Sequence, residues 1–398
     1  MKIAFVKQEV YQDLYVCPHT EKSAEAILLS SMLRVGPIGL MSDLGADFYI
    51  VKEEYAPETQ MYRKVIPAIA PYLHLLKTDT LDKIPGQEFT QPGSPMPNGA
   101  YAVEAGQIDW SLYDVVISVN VSLPAELVVK YPQTLFAYMI GEANMATSKA
   151  RFGYDVTLNQ KARGIVASRL GEVDFPYTFV GADTLERIMR SALGRPSLGR
   201  GVFMEINSTV ERPVTRVPAH FKPLQDIGQD VILHRQKIGE NLAAIYDSKY
   251  FVKMGGRPIR GNSVAEAVSL GSLAIMNRDE VIHGELIIDE CNVKSMDEVV
   301  ALVTRLEHDD ALYARLLERQ RRVLQTLFFD RPLQSLEKCL EMKRCRTTPK
   351  TYTMLDRLSD RLYLSYCDLF NFLKRIEKLI KACLRVFVFY IIFFPSYF

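Results

Sequence analysis

The stretch RPIRGNSVAEAVSLGSLAIMNRDEV, from Arg257 to Val281, contains the features that decide the fold. It is preceded by an apolar run, Tyr250–Met254, and two glycines. A second apolar run, Leu273–Asn277, lies near its end. Between the two runs, NSVAEAVSLG has the composition of a short helix that begins near Asn262 or Ser263. A strand, a glycine turn, a helix and a second strand predict a βαβ unit of a parallel sheet.

The same rhythm of apolar runs and helical patterns occurs on both sides of a Gly/Pro cluster, LGRPSLGRG, at Leu193–Gly201. We therefore predict an α/β fold of two Rossmann-like domains that face a central cleft, since open α/β sheets bind ligands beyond the carboxyl ends of their strands. The predicted domains are residues 1–193 and 200–330, followed by a crossover helix region, 331–350, and an amphipathic tail, 351–398.

The composition narrows the class of protein. The 398 residues contain 48 Lys+Arg against 47 Asp+Glu, a net charge of +1, which predicts no nucleic-acid partner, because such proteins usually have a strongly basic face. The six cysteines form no C-x-x-C pair, so we expect no disulfide framework, no zinc site and a reducing cytoplasm. The first apolar run has the length of a strand and is too short for a signal peptide.

The stretch has partners for each part of a nucleoside diphosphate. Glycines allow close approach of the backbone, and the start of a helix has a partial charge of about +0.5 that suits a phosphate. Basic side chains around that point can neutralise a diphosphate, and a glutamate one turn later can accept hydrogen bonds from ribose hydroxyls. The alternative is that these are ordinary solvated charges. The predicted binding residues are Lys253, Arg257, Arg260, Asn262, Ser263, Glu266 and, after the run Asp230–His234, Arg235.

Two common nucleotide motifs do not occur in the sequence. No G-x-G-x-x-G follows a strand-like run, which disfavours a nicotinamide dehydrogenase. No G-x-x-x-x-G-K-[ST] occurs, which disfavours a P-loop kinase.

The run RGNSVAEAVSLGSLAI, Arg260–Ile275, resembles the donor-site segment of GT-B glycosyltransferases, in particular of the exostosin-like and α-1,3-fucosyltransferase-like groups. The resemblance implies that Glu266 contacts the ribose of the nucleotide and that Arg260 and Lys253 face the diphosphate. The detailed match covers Tyr250 to about Phe329.

The sequence departs from that pattern at two places. Pro258 occupies the position at which many retaining enzymes of this fold have a second glutamate, and Leu273-Ala274 replaces the usual Pro-Val after the helix.

The resemblance still implies a metal-independent transferase that moves a sugar from a nucleotide sugar to a glycan or lipid-linked glycan acceptor, in surface polysaccharide biosynthesis. We expect no metal or other cofactor, because no Asp-x-Asp follows a strand. The alternatives are a nucleotide-sugar epimerase of the same fold and an inactive, membrane-associated binding module.

A general base for the transfer is expected in the first domain. Glu142, in LFAYMIGEANMATSK, directly follows a strand-like run and a glycine, and its surroundings faintly resemble the fucosyltransferase pattern. The alternative is a carboxylate at the start of a helix. Asp13, His19 and Glu21, in the connection after the first strand, are the other candidates, although each has an ordinary structural alternative.

The tail has the pattern of an amphipathic helix. Apolar residues from Leu355 to Ile380 recur mostly at steps of three and four, and the uncharged end, Val386–Phe398, is shorter than the about 20 residues that span a bilayer. Basic residues precede this end, which predicts an interfacial helix on anionic lipid and a cytoplasmic protein peripheral on the inner face of the membrane. The alternative is packing on the protein's own domains or on a second subunit. The basic residues are Lys374, Arg375, Lys378, Lys381 and Arg385.

Overall fold

A computed structural model defines the fold of the chain. It describes residues 1–7, 38–52, 103–104, 109–119, 123, 125–139, 154–159, 170–205, 216–234, 238–255 and 262–345, with single positions between 354 and 380.

The first half forms a sheet of seven strands in the order β3-β2-β1-β4-β5-β6-β7, and every pairing in it is parallel. The central strands consist almost wholly of apolar residues, as expected of parallel strands that are buried on both faces. The strands are Ile3–Lys7 (β1), Asp47–Lys52 (β2), Val103–Glu104 (β3), Val115–Val119 (β4), Leu135–Met139 (β5), Val156–Asn159 (β6) and Glu172–Asp174 (β7).

The second half forms a sheet of four parallel strands in the order β11-β10-β8-β9. Its strands are Val202–Met204 (β8), Val231–Leu233 (β9), Tyr250–Lys253 (β10) and Leu273–Met276 (β11).

Helices accompany both sheets. In the first half they are Ile38–Ser42 (α1), Ala125–Lys130 (α2) and Thr184–Leu193 (α3), with a 3-10 turn at Trp110–Leu112. In the second half they are Lys222–Asp226 (α4), Ile238–Asp247 (α5), Asn262–Leu270 (α6), Met296–Glu307 (α7), Asp310–Gln325 (α8) and Arg331–Arg344 (α9). Short 3-10 turns lie at Ala219–Phe221, Arg278–Glu280, Gly284–Leu286 and Asp289–Cys291, and a π-helical turn, Thr326–Asp330, connects α8 to α9.

The segment before α3 contacts both halves of the chain. The rings of Phe179 and Phe329 lie 4.8 Å apart, and the amide of Ala182 donates to Gln325 at 2.9 Å. Gly39 packs directly on this segment, because a Cβ atom there would lie only 2.2 Å from the carbonyl oxygen of Phe179. Asp43 accepts hydrogen bonds from Thr184 and from Arg187, which joins α1 to α3.

Helix α9 returns to the first sheet. Lys343 Nζ lies 2.6 Å from Asp155 Oδ2 and also donates to the carbonyl of Thr134. The side chains of this ion pair are 10% and 4% exposed, and the Asp155 carboxylate also accepts from the amide of Phe136 at 2.8 Å. The neighbouring pair between Arg344 and Asp114 lies near the surface, with 46% and 31% exposure.

The predicted α/β class with two parallel sheets is confirmed. The division into domains stays a prediction, although α3 ends at Leu193 and β8 begins at Val202, on either side of the Gly/Pro cluster. Three short strands were not predicted: β3 lies in a stretch that reads as a loop, and β6 and β7 are too short to show a clear period. Among the described residues, no helix is both long and apolar enough to cross a membrane.

The two pairs on α9 give a matched test of how the helix is attached. Lys343→Met leaves the buried Asp155 carboxylate without its cation, which costs about 3–5 kcal/mol in comparable pairs. Arg344→Gln removes a partly exposed pair, so its cost should stay below about 1 kcal/mol. Chemical unfolding of both variants measures the difference, and equal losses would contradict the assigned role of Lys343.

Candidate functional site

The parallel register of the second sheet brings three polar residues into one row at its carboxyl edge. Met204 is aligned with Val252 on one side and with Leu233 on the other. The next residues along the three strands are therefore neighbours at this edge: His234, Glu205 and Lys253. Since adjacent strands lie about 4.8 Å apart, the backbones of His234 and Lys253 are separated by roughly 10 Å.

Lys253 is locked in place at this edge. Its side chain is 3% exposed, and its Nζ donates to Glu280 Oε2 at 2.5 Å and to the carbonyl of Gly255 at 2.9 Å. Gly255 has a φ of +73°, a conformation that favours glycine, where the chain turns away from β10. The ammonium thus fixes the backbone at Gly255, and its charge is already paired with a carboxylate.

Glu280 is held at the end of the neighbouring strand. It lies in the 3-10 turn Arg278–Glu280, which begins after β11 and is capped by Asn277 Oδ1, an acceptor for Asp279 N at 3.0 Å. Arg278 secures the same turn by donating to the carbonyl of Ile287 at 2.8 Å. The Lys253–Glu280 pair therefore ties the carboxyl ends of β10 and β11 together.

His234 presents a proton donor at the opposite end of the row. The amide nitrogen Nδ2 of Asn241 lies 3.2 Å from its Nε2 and can only donate, so Nε2 is the acceptor. Burial lowers the pKa of His234 below its ordinary value, which favours the neutral ring. The proton of that ring is then on Nδ1, which is buried and has no hydrogen-bond partner within the described residues.

The start of α6 presents an acceptor. Asn262 is the first residue of the helix, and its Oδ1 is buried without a hydrogen-bond partner in the described part of the chain. This oxygen therefore does not cap the helix. Ser263 and Glu266 lie on the same helix and are half-buried. The other residues after Asn262 are buried in the core.

A run of acids, EHDD at Glu307–Asp310, lies at the other end of the sheet, and its side chains have structural partners. Glu307 accepts from the phenol of Tyr250 at 2.7 Å and pairs with Lys249 at 3.0 Å. Asp309 caps α8 by accepting from the amide of Leu312 at 2.8 Å. These contacts occupy the amino end of β10, away from the row at its carboxyl edge.

Several predicted site residues lie outside the described residues, so their roles stay predictions. In the first half, Glu142 follows the end of β5 at Met139 by three positions along the chain. The others are Asp13, His19, Glu21, Arg235, Arg257 and Arg260. Within the described ranges, no cluster of three or more His, Cys, Asp or Glu side chains is arranged to hold a metal ion.

Sequence reasoning missed two residues of this edge, Glu280 and Asn241. Glu280 follows β11 by four positions, so the rule that functional side chains gather after parallel strands would have included it. Asn241 gives no such signal, because its contact with His234 depends on how α5 packs after β9.

Solved structures similar to this chain are glucosyltransferases. The DNA-modifying enzyme β-glucosyltransferase, studied with and without uridine diphosphoglucose, is 14% identical, with a TM-score of 0.38, over 86% of this chain and 98% of that chain. T4 phage β-glucosyltransferase in complex with UDP-glucose is 13% identical, with a TM-score of 0.36 and the same coverage. An α-glucosyltransferase in complex with UDP and a 13-mer DNA is 8% identical, with a TM-score of 0.46, over 86% of this chain and 100% of that chain. No family model and no curated protein matches the sequence.

The prediction that nucleic acid is not a partner is wrong. It conflicts with the similar structures, several of which are complexes of an α-glucosyltransferase with DNA. The physical reason is that a net charge near zero averages over the whole chain and does not report where basic side chains gather.

Glu280→Gln tests whether the Lys253–Glu280 pair fixes the turn before α6. The amide keeps an acceptor but removes the charge, so we expect a loss of about 1–3 kcal/mol in the free energy of unfolding and faster trypsin cleavage after Arg260. Glu307→Gln is the matched control, since Glu307 pairs with Lys249 at the other end of β10. Equal acceleration of cleavage in both variants would show that the pair has no local role.

Proposed function

We propose that the chain transfers a sugar from a nucleotide-sugar donor, which binds at the carboxyl edge of the second sheet. One observation supports this most: two buried polar atoms at this edge, His234 Nδ1 and Asn262 Oδ1, have no hydrogen-bond partner among the described residues. A buried polar atom without a partner costs about 1–3 kcal/mol, so such atoms in a native protein need an explanation. A ligand that supplies the partners is the explanation we favour.

The two atoms differ in kind, and the difference indicates the ligand. His234 Nδ1 donates a proton, whereas Asn262 Oδ1 accepts one. A ligand that satisfies both has an acceptor for the His234 proton and a donor for the Asn262 oxygen, and the base and the ribose of a nucleotide have such groups. Glu266, one turn further along α6, is the predicted acceptor for ribose hydroxyls.

The charged part of the donor has different partners. The first turn of α6 has backbone N–H groups that lack partners within the helix, and such groups suit a phosphate. Because Lys253 is already paired with Glu280, we assign the diphosphate to this helix start and to the predicted ligands Arg257 and Arg260. Lys253 then acts by holding Gly255, where the chain leaves β10.

The proposed reaction is a displacement at the anomeric carbon of the sugar. A hydroxyl oxygen of the acceptor forms the new bond to this carbon while the bond from the carbon to the diphosphate oxygen breaks. The hydroxyl proton passes to a base, for which Glu142 stays the predicted residue, with Asp13 and His19 as alternatives. The leaving nucleoside diphosphate keeps the electron pair, and its charge is stabilised by the helix start and the arginines.

The finer features of this function are also proposals. The likeness of Arg260–Ile275 to the exostosin-like and fucosyltransferase-like groups, the independence from metal and the glycan acceptor rest on the sequence alone. DNA enters as a second acceptor to be tested, because the similar structures include complexes with DNA. A nucleotide-sugar epimerase would release a changed sugar nucleotide without an acceptor, and an inactive module would bind the donor without reaction.

Asn262→Leu separates a ligand-binding role from an ordinary helix-start role. The substitution removes an unpartnered acceptor, so the ligand-free protein should be as stable as the parent or up to about 1 kcal/mol more stable. Affinity for the donor should fall at least about tenfold, since a hydrogen bond that the ligand needs is lost. Calorimetry with UDP-, GDP-, dTDP- and CMP-sugars measures the affinity, and the best binder is then assayed for transfer to glycan and to DNA.

Thr157→Val is the matched control. Thr157 Oγ1 is another buried oxygen without a partner in the described ranges, but it lies within β6 of the first sheet. Its replacement should leave donor affinity unchanged. The proposal fails if none of the four nucleotide sugars binds the parent, or if Asn262→Leu binds the donor as tightly as the parent does.

A further inference from the structure

The tail presents an apolar helical stripe to solvent. All eight of its described positions are helical and lie between 36% and 87% exposed. Each of these side chains is a large hydrophobic one. They are Met354, Leu355, Leu358, Leu362, Leu369, Leu373, Ile376 and Ile380.

The spacing of these positions places most of them on one side of a helix. From Leu355 to Ile380 the steps are of three, four or seven residues, so the side chains follow one line along the helix. An exposed apolar surface made of eight large side chains marks a site of contact with another partner.

The charges beside the stripe indicate which partner it is. Between residues 374 and 385 the sequence has five basic residues and one acid, Glu377. The uncharged run that follows, Val386–Phe398, contains seven aromatic residues. Basic side chains next to apolar and aromatic ones suit the interface of an anionic bilayer, where the cations meet lipid phosphates and the apolar side chains enter the acyl boundary.

We propose that the apolar stripe Leu355–Ile380 docks on the surface of an anionic lipid bilayer and lies in its interface without spanning it. A parallel pair of chains would bring the basic clusters of both copies together, whereas an anionic bilayer neutralises them. Nucleic acid is also a poorer occupant, since its phosphates make no favourable contacts with a row of apolar side chains. The uncharged run is shorter than the about 20 residues of a spanning helix.

This docking goes beyond sugar transfer and does not depend on it. Docking of the tail would place the protein on the membrane face that is rich in anionic lipid, independently of the reaction that the protein catalyses. An enzyme held there meets acceptors that are themselves held by lipid.

Sedimentation of the full chain with lipid vesicles tests the proposal. The chain should bind vesicles of phosphatidylcholine with phosphatidylglycerol and should bind pure phosphatidylcholine at least about tenfold more weakly, with the difference reduced by salt. A stripe variant, Leu362→Gln with Leu369→Gln and Leu373→Gln, should lose binding to both kinds of vesicle. A charge variant, Lys374→Gln with Lys378→Gln and Lys381→Gln, should lose only the preference for phosphatidylglycerol.

The matched control changes three exposed apolar residues outside the tail: Leu112→Gln, Leu198→Gln and Met342→Gln, which are 41%, 52% and 39% exposed. This variant should bind vesicles as the parent does. In a second measurement, Leu369→Trp should show a blue-shifted emission on adding anionic vesicles, against the constant signal of Trp110, the one natural tryptophan, which is buried.

Three outcomes would overturn the proposal. The stripe variant binds vesicles as tightly as the parent; the parent does not bind and is a dimer that the stripe variant converts to monomer; or the parent binds DNA through the stripe in preference to lipid. Loss of vesicle binding together with unchanged donor affinity would separate this docking from the proposed nucleotide site.

Discussion

The buried ion pair between Lys253 and Glu280 is the constraint on which the candidate site depends. It joins the ends of two neighbouring parallel strands and also holds the carbonyl of Gly255, where the chain leaves β10 toward α6. Such a pair is costly to desolvate and becomes favourable only with good geometry and further hydrogen bonds, both of which Lys253 has. Its effect is positional, since it fixes where the chain leaves β10.

A fixed turn explains how the edge can keep polar atoms unsatisfied. His234 Nδ1 and Asn262 Oδ1 are buried without partners in the described chain, and a mobile edge would relax to pair them. These unpaired atoms lower the free energy of unfolding of the protein. In the proposed site, a ligand supplies the missing hydrogen bonds. Proteins commonly give up stability in this way at binding sites. In the proposed site, Lys253 is paired with Glu280 within the protein. His234, Asn262 and the start of α6 are then the groups that contact the ligand.

Much of the fold could be predicted from the sequence, because parallel strands are continuous apolar runs and their helices follow glycine turns. The runs at β10 and β11 were predicted in this way, and so was the position of α6. The role of Lys253 could not be predicted, since its partner Glu280 is 27 residues away and nothing local links them. The exclusion of nucleic acid was wrong, because it used a total charge to judge a local surface.

The most direct test of the central claim is the nitrogen NMR spectrum of the His234 ring, assigned with a His234→Gln variant, before and after adding nucleotide sugars. In the free protein the ring should be neutral with its proton on Nδ1, because Asn241 donates to Nε2. Saturation with the nucleotide sugar that binds should shift the Nδ1 resonance strongly and leave Nε2 nearly unchanged. An unchanged Nδ1 resonance with UDP-, GDP-, dTDP- and CMP-sugars alike would contradict a donor site at the carboxyl edge of the second sheet.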